Sequence, residues 1–142
     1  MRYQSENGFT LLELIVVLLI AGLAASFAAV SVGRSHDRTV LRQEAVRARN
    51  MLEHARERSL MERAPYALVV NAATGAYGLE RGGEPAGKAL RPGEGVTIEG
   101  GPIGFYPKGN STGGRLTLKG RAGRGYFIEV DEVTGKARVG RL

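Results

Sequence analysis

The sequence predicts an α+β protein, with one long N-terminal helix packed on a C-terminal antiparallel β-sheet domain. Three observations point to it. Phe9 to Val32 is an apolar run holding a single charge, Glu13. No proline precedes Pro65, and helical periodicity continues up to it. After Pro65 the apolar residues gather in short runs separated by turn residues. A chain of 142 residues suits one domain. Its 21 glycines are roughly double the average share, so many turns are expected. The absence of cysteine excludes a disulfide scaffold, a thiolate zinc site and a cysteine nucleophile. With only His36 and His54, a histidine-built catalytic or metal centre is not expected, nor is a cofactor.

Residues 9–32 are long enough to cross a bilayer, which takes roughly 20 helical residues. A secretory signal peptide would carry a shorter apolar core, about 7–15 residues, behind a basic leader. Here Met1 to Gly8 holds only Arg2 against Glu6, although Ala24, Ala25 and Ser26 are small enough to imitate a cleavage site. Glu13 is the anomaly, because a carboxylate at a membrane centre costs about 2.5–3.5 kcal/mol. It either has a partner or sits near the membrane end and reaches the headgroups.

Residues 33–64 continue the helix as an amphipathic segment. Leu41, Ala45, Ala48, Leu52, Ala55 and Ser59 repeat at spacings of four and three. One helix over 9–63 would be about 80 Å long, with Gly22 and Gly33 as weak points and Pro65 as the stop. Between Arg34 and Arg63 stand eight arginines and five acids. They read as a solvated face with Glu44, Glu53, Glu57 and Glu62 in local ion pairs, in preference to a nucleic-acid-binding helix. His54 and Glu57 read as a surface pair rather than as metal ligands.

Residues 65–142 read as short strands at 66–70, 76–80, 96–99, 103–106, 115–119, 125–130 and 136–139. The first two form a hairpin, 81–95 reads as a mobile loop, and Asp131 to Gly135 turns the chain. The set suggests an antiparallel sheet or small sandwich packed on the helix stripe. Gly109-Asn-Ser-Thr-Gly113 matches a nucleophile elbow by letter, but a strand-like RLTLK follows where a helix is required, and both histidines lie upstream. Ser111 is therefore a turn residue, no catalytic residue is assigned, and the chain reads as non-enzymatic.

Gly8-Phe9-Thr10-Leu11-Leu12-Glu13, at the head of the apolar run, resembles the class III signal of type IV pilins and type II secretion pseudopilins. The resemblance implies cleavage after Gly8 by a prepilin peptidase, N-methylation of Phe9, and Glu13 as the fifth residue of the mature chain. Ser5-Glu6-Asn7 departs from the basic residues common before the glycine. Glu13 would then pair with the amine of a neighbouring subunit in a filament, fixing register. Phe105 to Gly114, Ile128-Glu-Val130 and Thr134-Gly-Lys-Ala-Arg138 resemble the C-terminal domain of the GspH/FimT group.

Together the two resemblances imply a pilin-like organisation: leader 1–8, transmembrane and assembly helix 9–32, amphipathic continuation 33–64 and β domain 65–142. They imply a minor pseudopilin of the type II secretion system, single-pass in the bacterial inner membrane with its C-terminal domain in the periplasm. Its partners would be other pilins or pseudopilins and the prepilin peptidase. The alternative is a FimT-like minor type IV pilin that binds DNA for natural transformation. Gly100 to Leu142 carries eight Lys/Arg against three acids, and Gly135-Lys136-Ala137-Arg138 is similar to the G-R-x-R motif of that branch. The candidate DNA-binding residues are Lys136, Arg138 and Arg141, with Arg121 and Arg124 framing the preceding loop.

Overall fold

The computed structural model describes residues 9–121 and 123–142, without the side chains of 28–36. Helix α1 spans Leu11–Glu62. Thr10 caps it, its Oγ1 accepting from Glu13 N–H at 3.2 Å. This satisfies one of the amides that a helix start leaves unpaired. The helix ends before Pro65: Arg63 takes a left-handed φ of 50°, a conformation common just past a helix end. The chain divides between His36 and Asp37 into two compact units.

In the first unit, from Leu11 to Phe27, the helix is apolar on every side. Each large apolar side chain described from Phe9 to Phe27 is at least 46% exposed. No helix among the described residues is long and apolar enough to cross a membrane. The described side chains of this run stop at Phe27, so the expected span of 9–32 reaches beyond them.

The second unit carries eight strands: β1 (Tyr66–Val70), β2 (Tyr77–Arg81), β3 (Glu84–Pro85), β4 (Val96–Gly100), β5 (Ile103–Phe105), β6 (Gly114–Gly120), β7 (Gly125–Val130) and β8 (Ala137–Arg141). They form two four-stranded antiparallel sheets, ordered β3-β2-β1-β5 and β4-β6-β7-β8. Alternation sets which side chains are buried. Val96 and Ile98, Leu116 and Leu118, and Ile128 and Val130 face the core, with Ile98 opposite Leu118 and Leu116 opposite Ile128. The helix stripe of Leu41, Ala45, Ala48, Leu52 and Ala55 is 4% exposed or less and joins them in one cluster with Tyr66, Leu68, Ile103 and Phe105. Each large side chain buried there contributes about 1.5–3 kcal/mol. Ser59 closes the stripe as a buried polar residue, its hydroxyl donating to Arg56 O at 2.7 Å and Tyr106 O at 3.3 Å.

Two expectations need correction. Residues 81–95 are not an unattached mobile loop. The Gly82-Gly83 turn folds β3 back on β2, Ala86 N–H donates to Leu79 O at 2.8 Å, and Tyr77 and Leu90 exchange two backbone bonds of 2.9 and 2.8 Å. Glycine and proline content marked the turns but not the apolar residues, Ala86 and Leu90, that anchor the segment on the core. Glu44, expected in a surface ion pair, is buried at 6% exposure. It accepts from Tyr77 O–H at 3.2 Å and keeps Arg47 at 3.4 Å. Burial, with the Glu44 charge beside it, pushes the Tyr77 hydroxyl well above its ordinary value. Glu53 and Glu62 pair locally as expected, with Arg49 and Arg58, but Glu62 also holds Arg81 of β2 at 3.3 Å, and Glu57 has no ion-pair partner among the described residues.

Two turns share one construction. Asn71 Oδ1 accepts from Ala73 and Thr74 N–H, and Gly75 N–H returns to Asn71 O at 2.7 Å. Asp131 Oδ1 accepts from Val133 and Thr134 N–H, and Gly135 N–H returns to Asp131 O at 2.9 Å. Both close on a left-handed glycine, φ 67° at Gly75 and 63° at Gly135. The second turn is also tied to α1, because Arg56 Nε donates to Thr134 O at 3.0 Å.

Candidate functional site

Two groups of residues carry the functional question: the start of α1 and the cations of the last strands. Gly8 lies outside the described residues. Phe9 is 78% exposed and precedes the cap residue Thr10. Glu13 is the third residue of α1, three after Thr10, in the T-x-x-E spacing of a capping box. Its charge suits the positive end of the helix. The carboxylate is exposed and has no hydrogen-bond or ion-pair partner among the described residues. The role of Thr10 was open to sequence reasoning through that spacing, which the cleavage signal overlies.

The first turn therefore presents an aromatic residue, a capped helix start and an unpartnered carboxylate. Behind them, an apolar surface extends around the helix. So large an exposed apolar surface marks a membrane or protein contact.

The five cations proposed for DNA do not converge. Lys136 directly follows the Asp131–Gly135 turn, while Arg141 sits opposite Tyr126 at the other end of β8. Five residues of strand separate them by about 16 Å. Arg138 lies opposite Glu129, and its odd offset from Arg141 turns the two to opposite faces of the sheet. Arg124 and Arg121 belong to the β6–β7 turn, at the Arg141 end. Arg121 is engaged by Glu94 at 2.6 Å.

Two cations not singled out from the sequence lie on the outer face and are also paired. Arg115 meets Glu129 at 2.9 Å and stacks 4.5 Å over the Phe127 ring, and Lys119 meets Glu99 at 2.9 Å. Cross-strand register brings these pairs together, and a linear reading does not show it.

Ser111 is a structural turn residue. It is 7% exposed, its hydroxyl donates to Asp131 O at 2.9 Å and accepts from Gly113 N–H at 2.9 Å, and β6 follows it. His54 and Glu57 are exposed on α1, and no metal-sized group of His, Cys, Asp or Glu gathers among the described residues.

Comparison with known proteins matches the two halves of this description. Residues 3–29 match the family model of the prokaryotic N-terminal methylation motif. No curated protein matches the sequence. The fold is similar to that of the minor pseudopilin EpsH from the type 2 secretion system of Vibrio cholerae. That match has a TM-score of 0.59 at 10% identity, covering 70% of this chain and 95% of that one. It is also similar to the type IV minor pilin FimU of Pseudomonas aeruginosa. In one crystal form the TM-score is 0.56 at 16% identity, covering 70% of this chain and 92% of that one. In another it is 0.58 at 14% identity, with 72% and 90% covered. The chain is thus pilin-like: it joins a prepilin-type methylation motif to the helix-on-sheet fold of minor pilins and pseudopilins.

Proposed function

We propose that this protein is a minor pseudopilin of a type II secretion system. Cleavage after Gly8 and methylation of Phe9 produce the mature subunit. Its apolar helix holds it in the inner membrane, with the β domain in the periplasm, and then packs among the helices of a pseudopilus. Glu13 pairs there with the terminal amine of a neighbour. The protein acts mechanically, as one subunit of an assembly that supports protein export, and carries out no catalysis.

The observation that carries the minor-pilin reading is the contrast within α1. A stretch apolar on all sides, whose described side chains are exposed, lies within the residues that match the methylation motif. The choice of secretion over DNA uptake rests on the cations. The five candidates are divided between two ends and two faces of a sheet; Arg121 is held by Glu94, and the neighbouring Arg115 and Lys119 are neutralised by Glu129 and Glu99. A duplex is held by several phosphate contacts made together.

The second reading, a DNA-binding minor type IV pilin, is favoured by Lys136, Arg138 and Arg141. These three have no ion-pair partner among the described residues. Deleting the gene in its host separates the two. The secretion reading expects loss of extracellular protein export with DNA uptake intact. Normal export with lost transformation would replace it with the DNA reading.

A further inference from the structure

The outer edges of the two sheets are managed differently. β3 is two residues long and ends in Pro85, which blunts an edge. The edge of β5 is occupied by the loop that follows it. Thr112 N–H donates to Gly104 O and Gly104 N–H to Thr112 Oγ1, both at 2.9 Å. β4 lies beside β1 of the other sheet. β8, five residues long, ends its sheet with no strand on its outer side among the described residues.

The bonds flanking the β7–β8 ladder identify which backbone groups are free. Asp131 N–H donates to Lys136 O at 3.1 Å, and Leu142 N–H donates to Gly125 O at 3.0 Å. With antiparallel alternation, Arg138 and Gly140 also turn their backbone groups to β7. Ala137, Val139 and Arg141 turn theirs away from the sheet.

We propose that β8 is a docking edge for an acidic extended strand of a partner protein, which adds antiparallel to it. Charge complementarity selects the occupant. A strand paired there places its residues opposite Lys136, Arg138 and Arg141 within reach of three cations that have no ion-pair partner among the described residues. The residue opposite Val139, which is 42% exposed, meets an apolar side chain. Read along the incoming strand, the preferred pattern is acid, any, apolar, acid, any, acid. A second copy of β8 is the wrong occupant, because pairing centred on Val139 gathers six cations. The inference goes beyond the filament assignment, since a strand edge serves equally in either filament.

The test is hydrogen–deuterium exchange on the full-length protein in detergent micelles, with an amidated ETVEVE peptide and a KTVKVK control. The acidic peptide should slow exchange over residues 137–141 and leave β3 and β4 unchanged. Val139→Pro removes an outward N–H while sparing the β7 ladder, and should weaken peptide binding about tenfold, the loss expected for an edge hydrogen bond. Arg138→Glu combined with Arg141→Glu should reverse the preference toward the lysine peptide. That swap keeps the proposal testable if the proline variant fails to fold. Equal binding of both peptides, no protection at β8, or stronger protection of the same segment by duplex DNA would overturn the proposal.

Discussion

The two parts of α1 obey the same helical geometry and meet opposite fates. From Leu11 to Phe27 nearly every position is apolar, and every described side chain is exposed. From Leu41 to Ser59 the apolar residues narrow to one stripe, and the chain's own sheets cover it. A stripe can be satisfied by one neighbouring surface. A helix apolar all round needs lipid or other helices on all sides. The comparison shows that composition around the helix axis, more than helix propensity, decides which part folds at home and which part waits for an assembly.

The largest effect should separate the two parts directly. Leu52→Ala removes a fully buried side chain and should cost about 2–5 kcal/mol, read as a lower melting temperature of the detergent-solubilised protein. Leu18→Ala, at a position 65% exposed, should leave that temperature unchanged. An equal loss in both variants would mean that the first part is also covered within the chain.

Next comes the charge. Glu13→Val should leave membrane insertion intact or improved, since a carboxylate within the apolar layer opposes insertion. Co-purification with partner pilins should fall. Unchanged co-purification would reduce Glu13 to a helix-end charge. Thr10→Ala should have a smaller effect, about 0.5–2 kcal/mol of local helix stability for a lost cap. Faster amide exchange confined to the first turn of α1 would register it.

The smallest expected effect distinguishes the twin turns. Bonds from Thr134 N–H and its hydroxyl, with a further one from Val133 N–H, hold the Asp131 carboxyl below its ordinary value. A depressed carboxylate stabilises the fold above its unfolded value, about 3.9 for Asp, and that contribution is lost as pH falls through the lower folded value. Asp131→Asn should therefore flatten the acid limb of the melting curve. Asn71 has no charge to lose, so Asn71→Asp should steepen the same limb. Parallel acid limbs in wild type and Asp131→Asn would contradict this account.

Much of the fold was legible because its signals are local. The four-three spacing of Leu41 to Ser59 marked the buried face, and alternation located strands such as β7. Glu44 escaped because its charge suggested solvent. Its place, three after Leu41 and four before Ala48, puts it at the border of the stripe, where Tyr77 covers it. At the candidate site, the cleavage motif and Glu13 were readable as letters, whereas the cap at Thr10 lay under the same letters. The spacing of the cations was hidden for a different reason. Lys136, Arg138 and Arg141 are neighbours in sequence, but a strand separates them by length and by face, and a hairpin returns Arg141 to the end that holds Arg124.

The central claim is that the first part of α1 is covered by partner subunits and the second by its own sheets. The chain has no cysteine, so a single introduced one reports alone. Leu14→Cys, Leu18→Cys and, in the second part, Met61→Cys can each be carried by the full-length protein in a host that expresses its partner pilins. Oxidative cross-linking against single-cysteine partner pilins is then read in the sheared filament fraction. The account predicts cross-linked heterodimers at positions 14 and 18, lost when Glu13→Val is added, and none at 61 to the partners' helices. Uncross-linked protein at 14 and 18, retained in the membrane while filaments form normally, would contradict it.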